Sequence, residues 1–139
     1  ALLRLRNTCG DRAVLRAIHY FEENARALAQ RNALVSGDFP VFLRLVLESG
    51  HASFAFCQNV YCAADARHQG LSVALALSQS LLEGQGGAWR MQGGGFAGTI
   101  QAFVPGTLTQ RYHDAIEQVF GAGSCYLLCL REQGALRVI

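Results

Sequence analysis

The first half of the chain spaces its apolar residues as a helix with one apolar face would. Over residues 11–34 the intervals are three and four, and the predicted buried row is Val14, Ile18, Phe21, Ala25 and Leu28. A second helix is expected to begin at Asp38, which can cap it, and to end at Gly50. An aromatic, irregular segment should then form mostly loop before a third helix over about residues 70–82.

The second half changes to the pattern of short strands and turns. Residues 88–92 and 99–104 are predicted strands, and a helix capped by Thr109 should follow and end at Gly121. Two more strands are predicted over residues 124–130 and 135–139. Helices followed by a β–loop–β–α–β–β order predict one α+β domain over residues 1–139, with an antiparallel sheet covered by helices on one face.

Composition narrows the class of protein. Hydrophobic residues make up 51% and charged residues 16%, against the ~25% charged residues typical of folded domains. This imbalance predicts either a face that something else covers or simply an apolar, alanine-rich composition. The net charge is +2 and the basic residues are scattered, which argues against a nucleic-acid partner. All 12 cationic side chains are arginine. Without lysine, a P-loop, a protein-kinase strand lysine and Schiff-base chemistry are excluded.

The cysteines, the apolar runs and the first residue predict the compartment of the protein and whether it binds a membrane or a metal. No run reaches about 18 apolar residues, so no membrane association is expected. Five cysteines, an odd number without a leader sequence, predict reduced thiols in a cytoplasmic protein. Cys125 and Cys129 lie in an apolar run and are predicted core residues, and zinc-like spacings are missing, so no metal site is expected. The first residue is not methionine, and we expect a piece of a longer protein.

One glycine-rich run stands between the first two predicted strands, in the stretch WRMQGGGFAGTIQAFV. We call residues 92–99 the glycine loop. Gly93, Gly95 and Gly98 satisfy GxGxxG, but β-forming residues and Pro105 follow where a dinucleotide-binding motif requires a helix. Two interpretations remain open: backbone N–H groups that form an anion-binding nest, and a hairpin that only permits close packing.

The run RMQGGGFAGTIQAFVP resembles the third motif of galactokinases, RMTGGGFGGC followed by a strand. Galactokinases belong to the GHMP small-molecule kinases. The stretch RAIHYFEENARALAQRNALVSGDFPVFLRLVLESGHAS is similar to the helical stretch of that family, with its GD-x-x-x-FGRLM-x-ESH-x-SL segment. The tail CYLLCLREQGALRVI resembles the family's closing pair of strands. The resemblance therefore covers nearly the whole chain and implies the ferredoxin-like C-terminal domain of a GHMP kinase.

The resemblance implies a kinase that transfers the γ-phosphoryl group of ATP to the anomeric hydroxyl of galactose, with magnesium. The catalytic and sugar-binding motifs of the family lie in an N-terminal domain and do not occur here. That domain, ATP and galactose are the implied partners, and this chain should hold no catalytic residue and no metal ligand. Its implied contribution is a loop near the phosphates, formed by Gly93, Gly94, Gly95, Phe96 and Gly98. Arg90 is a possible phosphate contact, although an arginine at the end of a strand is more often solvated or paired.

The sequence also departs from the family pattern. Gln92, Ala97 and Thr99 replace the usual threonine, glycine and cysteine, Gly50 is additional, and FCQNVY replaces a loop with two aspartates. These departures leave the sugar open. Another GHMP kinase and a non-catalytic α+β binding module are the alternatives.

Several polar residues outside the loop have a functional and a structural interpretation. His19 and Glu23 stand four apart on a predicted helix, where an exposed pair is the simpler reading than metal ligands. His51 and Asn59 lie in the segment that the family places near its cleft. His113 and Asp114 fit solvated helix positions.

Overall fold

Helices make up most of this chain and flank a small antiparallel sheet. The computed structural model describes residues 2–95 and 98–129. Its helices are α1 (Leu2–Cys9), α2 (Asp11–Val35), α3 (Phe39–Ala52), α4 (Gly70–Leu82) and α5 (Thr109–Phe120), and its strands are β1 (Ala88–Met91) and β2 (Ile100–Phe103). The chain is thus α-rich with a two-stranded sheet packed against helices, which is compatible with the predicted α+β class.

The start of α3 is as predicted, but its end is not. The Asp38 side chain accepts a hydrogen bond of 3.1 Å from the N–H of Val41, as an N-cap does. The helix then runs through Gly50 to Ala52 and continues as a π-helical turn, Ser53–Cys57. Gly50 allows close packing here, because a Cβ atom at this position would lie 3.1 Å from the carbonyl oxygen of Trp89 on β1, which is tighter than usual. The predicted helix stop at Gly50 is therefore wrong.

The two faces of the sheet contact different helices. Ala88 pairs with Phe103, and both pack in a cluster with Phe42 and Val46 of α3. Side chains alternate along a strand, so the neighbouring Trp89 points to the opposite face. There it packs with residues of α4 and α5, namely Leu82, Tyr112 and Ile116. The expectation of helices on one face only was too narrow, because β1 is covered on both sides.

The predicted third strand is not formed. Residues 124–129 carry no strand, and Tyr126, Leu127 and Leu128 are 77–80% exposed. This segment makes no ladder with β1 or β2, so its apolar side chains have no sheet face to cover. Cys125 packs partly against the Trp89 cluster, whereas Cys129 is exposed, so Cys129 is not the predicted core residue. The strand predicted over residues 135–139 lies outside the described residues.

Helix α2 has nearly the predicted bounds, but it is rotated about its axis so that most of the apolar row predicted to be buried faces solvent. Most of the predicted buried row is exposed, with Ile18 at 36%, Phe21 at 72% and Leu28 at 58%, and only Val14 is partly buried. Ala33 is the one buried residue of the helix, and the partly buried residues include the polar side chains of Glu23 and Arg26, which are 24% and 12% exposed. Much of the apolar surface of α2 is therefore exposed, contrary to the usual rule that a helix buries its apolar face.

Exposed apolar side chains accompany the low charge content. Many of them lie on α1, α2 and the segment after α5: Leu2, Leu3, Leu5, Ile18, Phe21, Leu28, Tyr126, Leu127 and Leu128. Within residues 2–95 and 98–129, no helix combines the length and the apolar character needed to cross a membrane.

Candidate functional site

The glycine loop leaves β1 in a tight turn. The N–H of Gln92 donates to the carbonyl oxygen of Thr99 at 3.1 Å, which holds the two ends of the loop together. Gly93, Gly95 and Gly98 have φ angles of 68°, 74° and 83°, in the left-handed region that favours glycine. Phe96, a predicted loop contact, lies outside the described residues. The turn therefore uses the glycines of the GxGxxG pattern for backbone conformation.

Asn59 fixes the position of the loop. Gln58 ends the π-helical turn with a left-handed φ of 53°, and its N–H donates to the carbonyl oxygen of Ser53 at 2.8 Å. The next residue, Asn59, is only 6% exposed and donates its Nδ2 to the carbonyl oxygen of Gly94 at 3.1 Å. A Cβ atom on Gly95 would lie 2.1 Å from the carbonyl oxygen of Asn59. The loop thus packs backbone to backbone on Asn59, and only glycine fits.

A cleft of about 450 Å³ opens beside this contact, between α2, the end of the π-helical turn and the loop. Two polar atoms of its lining residues, Asn59 Oδ1 and His19 Nδ1, are buried and have no hydrogen-bond partner among the described residues. Such atoms are uncommon in folded proteins and call for an explanation. The cleft is lined by Arg16, His19, Tyr20, Glu23, Asn24, Cys57, Asn59 and Gly94.

Glu23 joins the cleft to the sheet. Its carboxylate accepts hydrogen bonds from Ser49 of α3 and Arg26 of α2, and it lies 3.4 Å from the guanidinium of Arg90 on β1. Burial raises the pKa of the Glu23 carboxyl, but the bonds from Ser49 and Arg26 and the charges of Arg26 and Arg90 outweigh it and lower the pKa. Glu23 is therefore a charged anchor for three elements.

Arg90 is directed to this anchor. It pairs with Glu23, and its Nε donates to the carbonyl oxygen of Met91 at 3.1 Å. The predicted contact between Arg90 and a phosphate stays a prediction, and in this conformation the guanidinium serves the contact between β1 and α2.

The other polar residues singled out from the sequence are dispersed. His19 and Glu23 both line the cleft instead of forming an exposed pair. His51 is exposed on α3 beside a smaller depression, and His113 and Asp114 lie on α5 next to one another. Among residues 2–95 and 98–129, no group of three or more histidine, cysteine, aspartate or glutamate side chains is placed to hold a metal ion.

Sequence reasoning missed part of the cleft. Arg16, Tyr20 and Asn24 stand at intervals of four on α2, so they share one side of the helix. This row was the available signal. It was overlooked because the competing apolar row of the same helix was expected to face the protein.

No protein-family model matches this chain, and no solved structure matches it.

Proposed function

We propose that this chain is the C-terminal domain of a galactokinase-like sugar kinase of the cytoplasm. The complete enzyme would transfer the γ-phosphoryl group of ATP to the anomeric hydroxyl of galactose. The observation that carries the proposal is the glycine loop, held by Asn59 in the run that resembles the third galactokinase motif. Rigid placement suits phosphoryl transfer, which depends mostly on positioning and charge stabilisation.

The conformation of the loop supports a role next to phosphate. Cβ atoms built on Gly93 and Gly94 meet no described atom within 4 Å, so the backbone there is open to approach. Among the described residues, no backbone hydrogen bond uses the N–H of either glycine. Free N–H groups in a turn with left-handed residues form the kind of concave site that attracts anions. On this proposal they face the triphosphate.

The remaining chemistry is assigned to the preceding N-terminal domain, the proposed partner of this chain. The described residues offer no cluster of metal ligands, so magnesium would be held with ATP by that domain. The exposed apolar side chains of α1 and α2 are compatible with a surface that a further domain covers.

A second candidate is a GHMP kinase with another small-molecule substrate. The residues that favour it are Cys57 and Asn59, which line the cleft and belong to the FCQNVY segment that departs from the galactokinase pattern.

The test is ATP-dependent phosphorylation by the longer parent protein, with this 139-residue chain assayed beside it. We expect the parent to phosphorylate galactose and the chain alone to be inactive. A parent that phosphorylates a different sugar in a panel, and ignores galactose, would support the second candidate. A parent with no phosphotransferase activity on any of them would contradict both, and would favour a non-catalytic binding module.

A further inference from the structure

Helix α2 carries two rows of residues with the same spacing but opposite character. One row is partly buried or buried and mostly polar, and it consists of His19, Glu23, Arg26, Gln30 and Ala33. The other row is apolar and mostly exposed, with Ile18 at 36%, Phe21 at 72% and Leu28 at 58%. The helix therefore turns most of its apolar row away from its own chain.

The intervals of the apolar row are those of a coiled coil. From residue 14 to residue 35 they alternate strictly between four and three, so the row fills the a and d positions of three consecutive heptads. We call this row the α2 seam, and its members are Val14, Ile18, Phe21, Ala25, Leu28, Asn32 and Val35. Knobs-into-holes packing requires a helix of the same spacing on the other side, so the α2 seam fits another helix.

Asn32 points to a second copy of α2 as that helix. It is the one polar residue of the α2 seam, and it is exposed. It stands at an a position, where a single asparagine fixes the register and the number of strands of a parallel coiled coil. Two parallel copies of α2 in register place their Asn32 side chains opposite each other. The charged residues beside the seam, Glu22 and Arg31, face uncharged positions in this register.

The area of such a contact indicates a weak dimer. Helix α2 has 25 residues, so it is about 37 Å long, and a strip about 10 Å wide on each copy buries about 700–1,000 Å² in total. Stable complexes bury about 1,200–2,000 Å², and weak ones bury less. The exposed rings of Tyr20 and Phe21 meet edge to face at 5.4 Å and are therefore oriented as anchors before a partner binds. We expect association above about 10 µM, and a monomer at the lower concentrations of unfolding measurements.

We propose that two copies of this chain associate through the α2 seam as a parallel, two-stranded coiled coil. The two copies are related by a two-fold axis that runs parallel to α2. Ser49 of α3 and Arg90 of β1 both contact Glu23, on the row opposite the α2 seam, so the body of each copy lies outside the contact. The dimer does not depend on the kinase assignment, and it leaves the exposed leucines of α1 for a further domain.

The experiment is sedimentation velocity of the 139-residue chain from about 1 to about 300 µM, a range that spans the expected midpoint. We expect a mass of 15.1 kDa at the lowest concentration, twice that mass at the highest, and no larger species. A mass of 15.1 kDa at every concentration would overturn the dimer. Irregular larger aggregates would overturn it as well, because they would show an apolar surface without a defined register.

Two matched substitutions test whether the α2 seam is the contact. Leu28→Glu places a charge at a d position and should raise the dissociation constant at least about tenfold. The control Val73→Glu makes the corresponding change on α4, at a side chain 50% exposed, and should leave the dissociation constant unchanged. Circular dichroism at the lowest concentration checks that both variants are folded. If both variants dimerise as wild type does, or both fail to dimerise, the α2 seam is not the contact.

A third substitution tests the orientation of the two helices. Asn32→Leu removes the polar residue from the a position, and should tighten association at least about tenfold and admit species larger than a dimer. Association that is unchanged in this variant would contradict the parallel register.

Discussion

The two faces of β1 meet contrasting surroundings. On one face, Trp89 packs among Leu82, Tyr112 and Ile116, all of them buried. On the other, Ala88 packs with Phe42 and Val46, but Arg90 on the same face meets the carboxylate of Glu23 on α2, and the cleft with its unpartnered polar atoms lies along that helix. Apolar burial stabilises a fold without further conditions, whereas a polar interface does so only when its groups are partnered. We therefore assign stability mainly to the two apolar clusters, around Trp89 and around Ala88, and a smaller, conditional contribution to the polar contact between Arg90 and α2.

The largest effect is expected at Trp89. Replacing it with alanine empties the centre of the apolar face and should lower the free energy of unfolding by about 3–5 kcal/mol. The measurement is urea unfolding followed by circular dichroism, because the chain has only one tryptophan and the variant lacks it. The control Val119→Ala, at a side chain 53% exposed, should change stability by about 0.5 kcal/mol or less. Equal losses in the two variants would contradict the assignment of Trp89 to the centre of a packed apolar cluster.

The glycine loop offers a matched pair of neighbouring substitutions. Gly95→Ala forces a Cβ atom against the carbonyl oxygen of Asn59 in a left-handed conformation, and should destabilise the chain by about 1–3 kcal/mol. Gly94→Ala has open space among the described residues and should be nearly neutral. Thermal unfolding of both variants measures the difference. If Gly95→Ala is also neutral, Asn59 does not hold the loop as described.

Glu23 tests the polar face. Glu23→Gln removes the charge that Ser49, Arg26 and Arg90 share, and should lower the free energy of unfolding at neutral pH by about 1–3 kcal/mol, the range for hydrogen bonds to charged groups. Glu22→Gln is the control, because Glu22 is more exposed and lies 3.8 Å from Arg26.

The same carboxylate predicts a pH dependence. The folded chain lowers the pKa of Glu23 below its ordinary value of 4.5, so its contribution to stability is complete above 4.5 and is lost as the pH falls through the folded-state pKa. Wild type should therefore lose stability to acid more steeply than Glu23→Gln in that range. If the free energies of unfolding of the two proteins fall in parallel as the pH is lowered, the charged Glu23 carboxylate does not stabilise the fold as described.

The smallest effects on stability are expected on α2, whose predicted apolar row faces solvent. The Nε2 atom of Gln30 is buried without a partner among the described residues, so Gln30→Leu should be neutral or stabilising by about 1 kcal/mol. Leu28, 58% exposed, lies on the opposite row, and Leu28→Gln should change stability by about 0.5 kcal/mol or less. A strong loss in Leu28→Gln, with little change in Gln30→Leu, would show that α2 buries its apolar row after all. Chemical denaturation of the two variants decides this.

Local patterns in the sequence predicted the elements better than their packing. Helical spacing and the Asp38 cap located α2, α3 and α4, since both act within a few residues. The sequence did not predict the orientation of α2, because that is decided by Glu23 meeting Ser49 and Arg90 far along the chain. The helix end predicted at Gly50 was wrong for the same reason, because this glycine leaves space for β1, which lies far along the chain.

The candidate site was predicted in part. The glycine run marked the loop, because positive φ angles require glycine. The sequence singles out Asn59 only by its position in the aromatic segment, and no pattern in that segment predicts its hydrogen bond to Gly94. The cleft depends on side chains from α2, the π-helical turn and the loop, which no local pattern brings together.

The measurement that tests the central claim most directly is the turnover number for ATP-dependent phosphorylation of galactose by the longer parent, in wild type and in Gly94→Val. Gly94 is the better probe of function than Gly95, because a Cβ atom there meets no described atom within 4 Å, whereas one on Gly95 clashes with Asn59. We predict an active wild type, a variant with an unchanged unfolding temperature and a turnover number reduced at least about tenfold, as expected when a positioned phosphate contact is lost. Equal turnover in the two proteins would contradict a phosphate-facing role for the glycine loop.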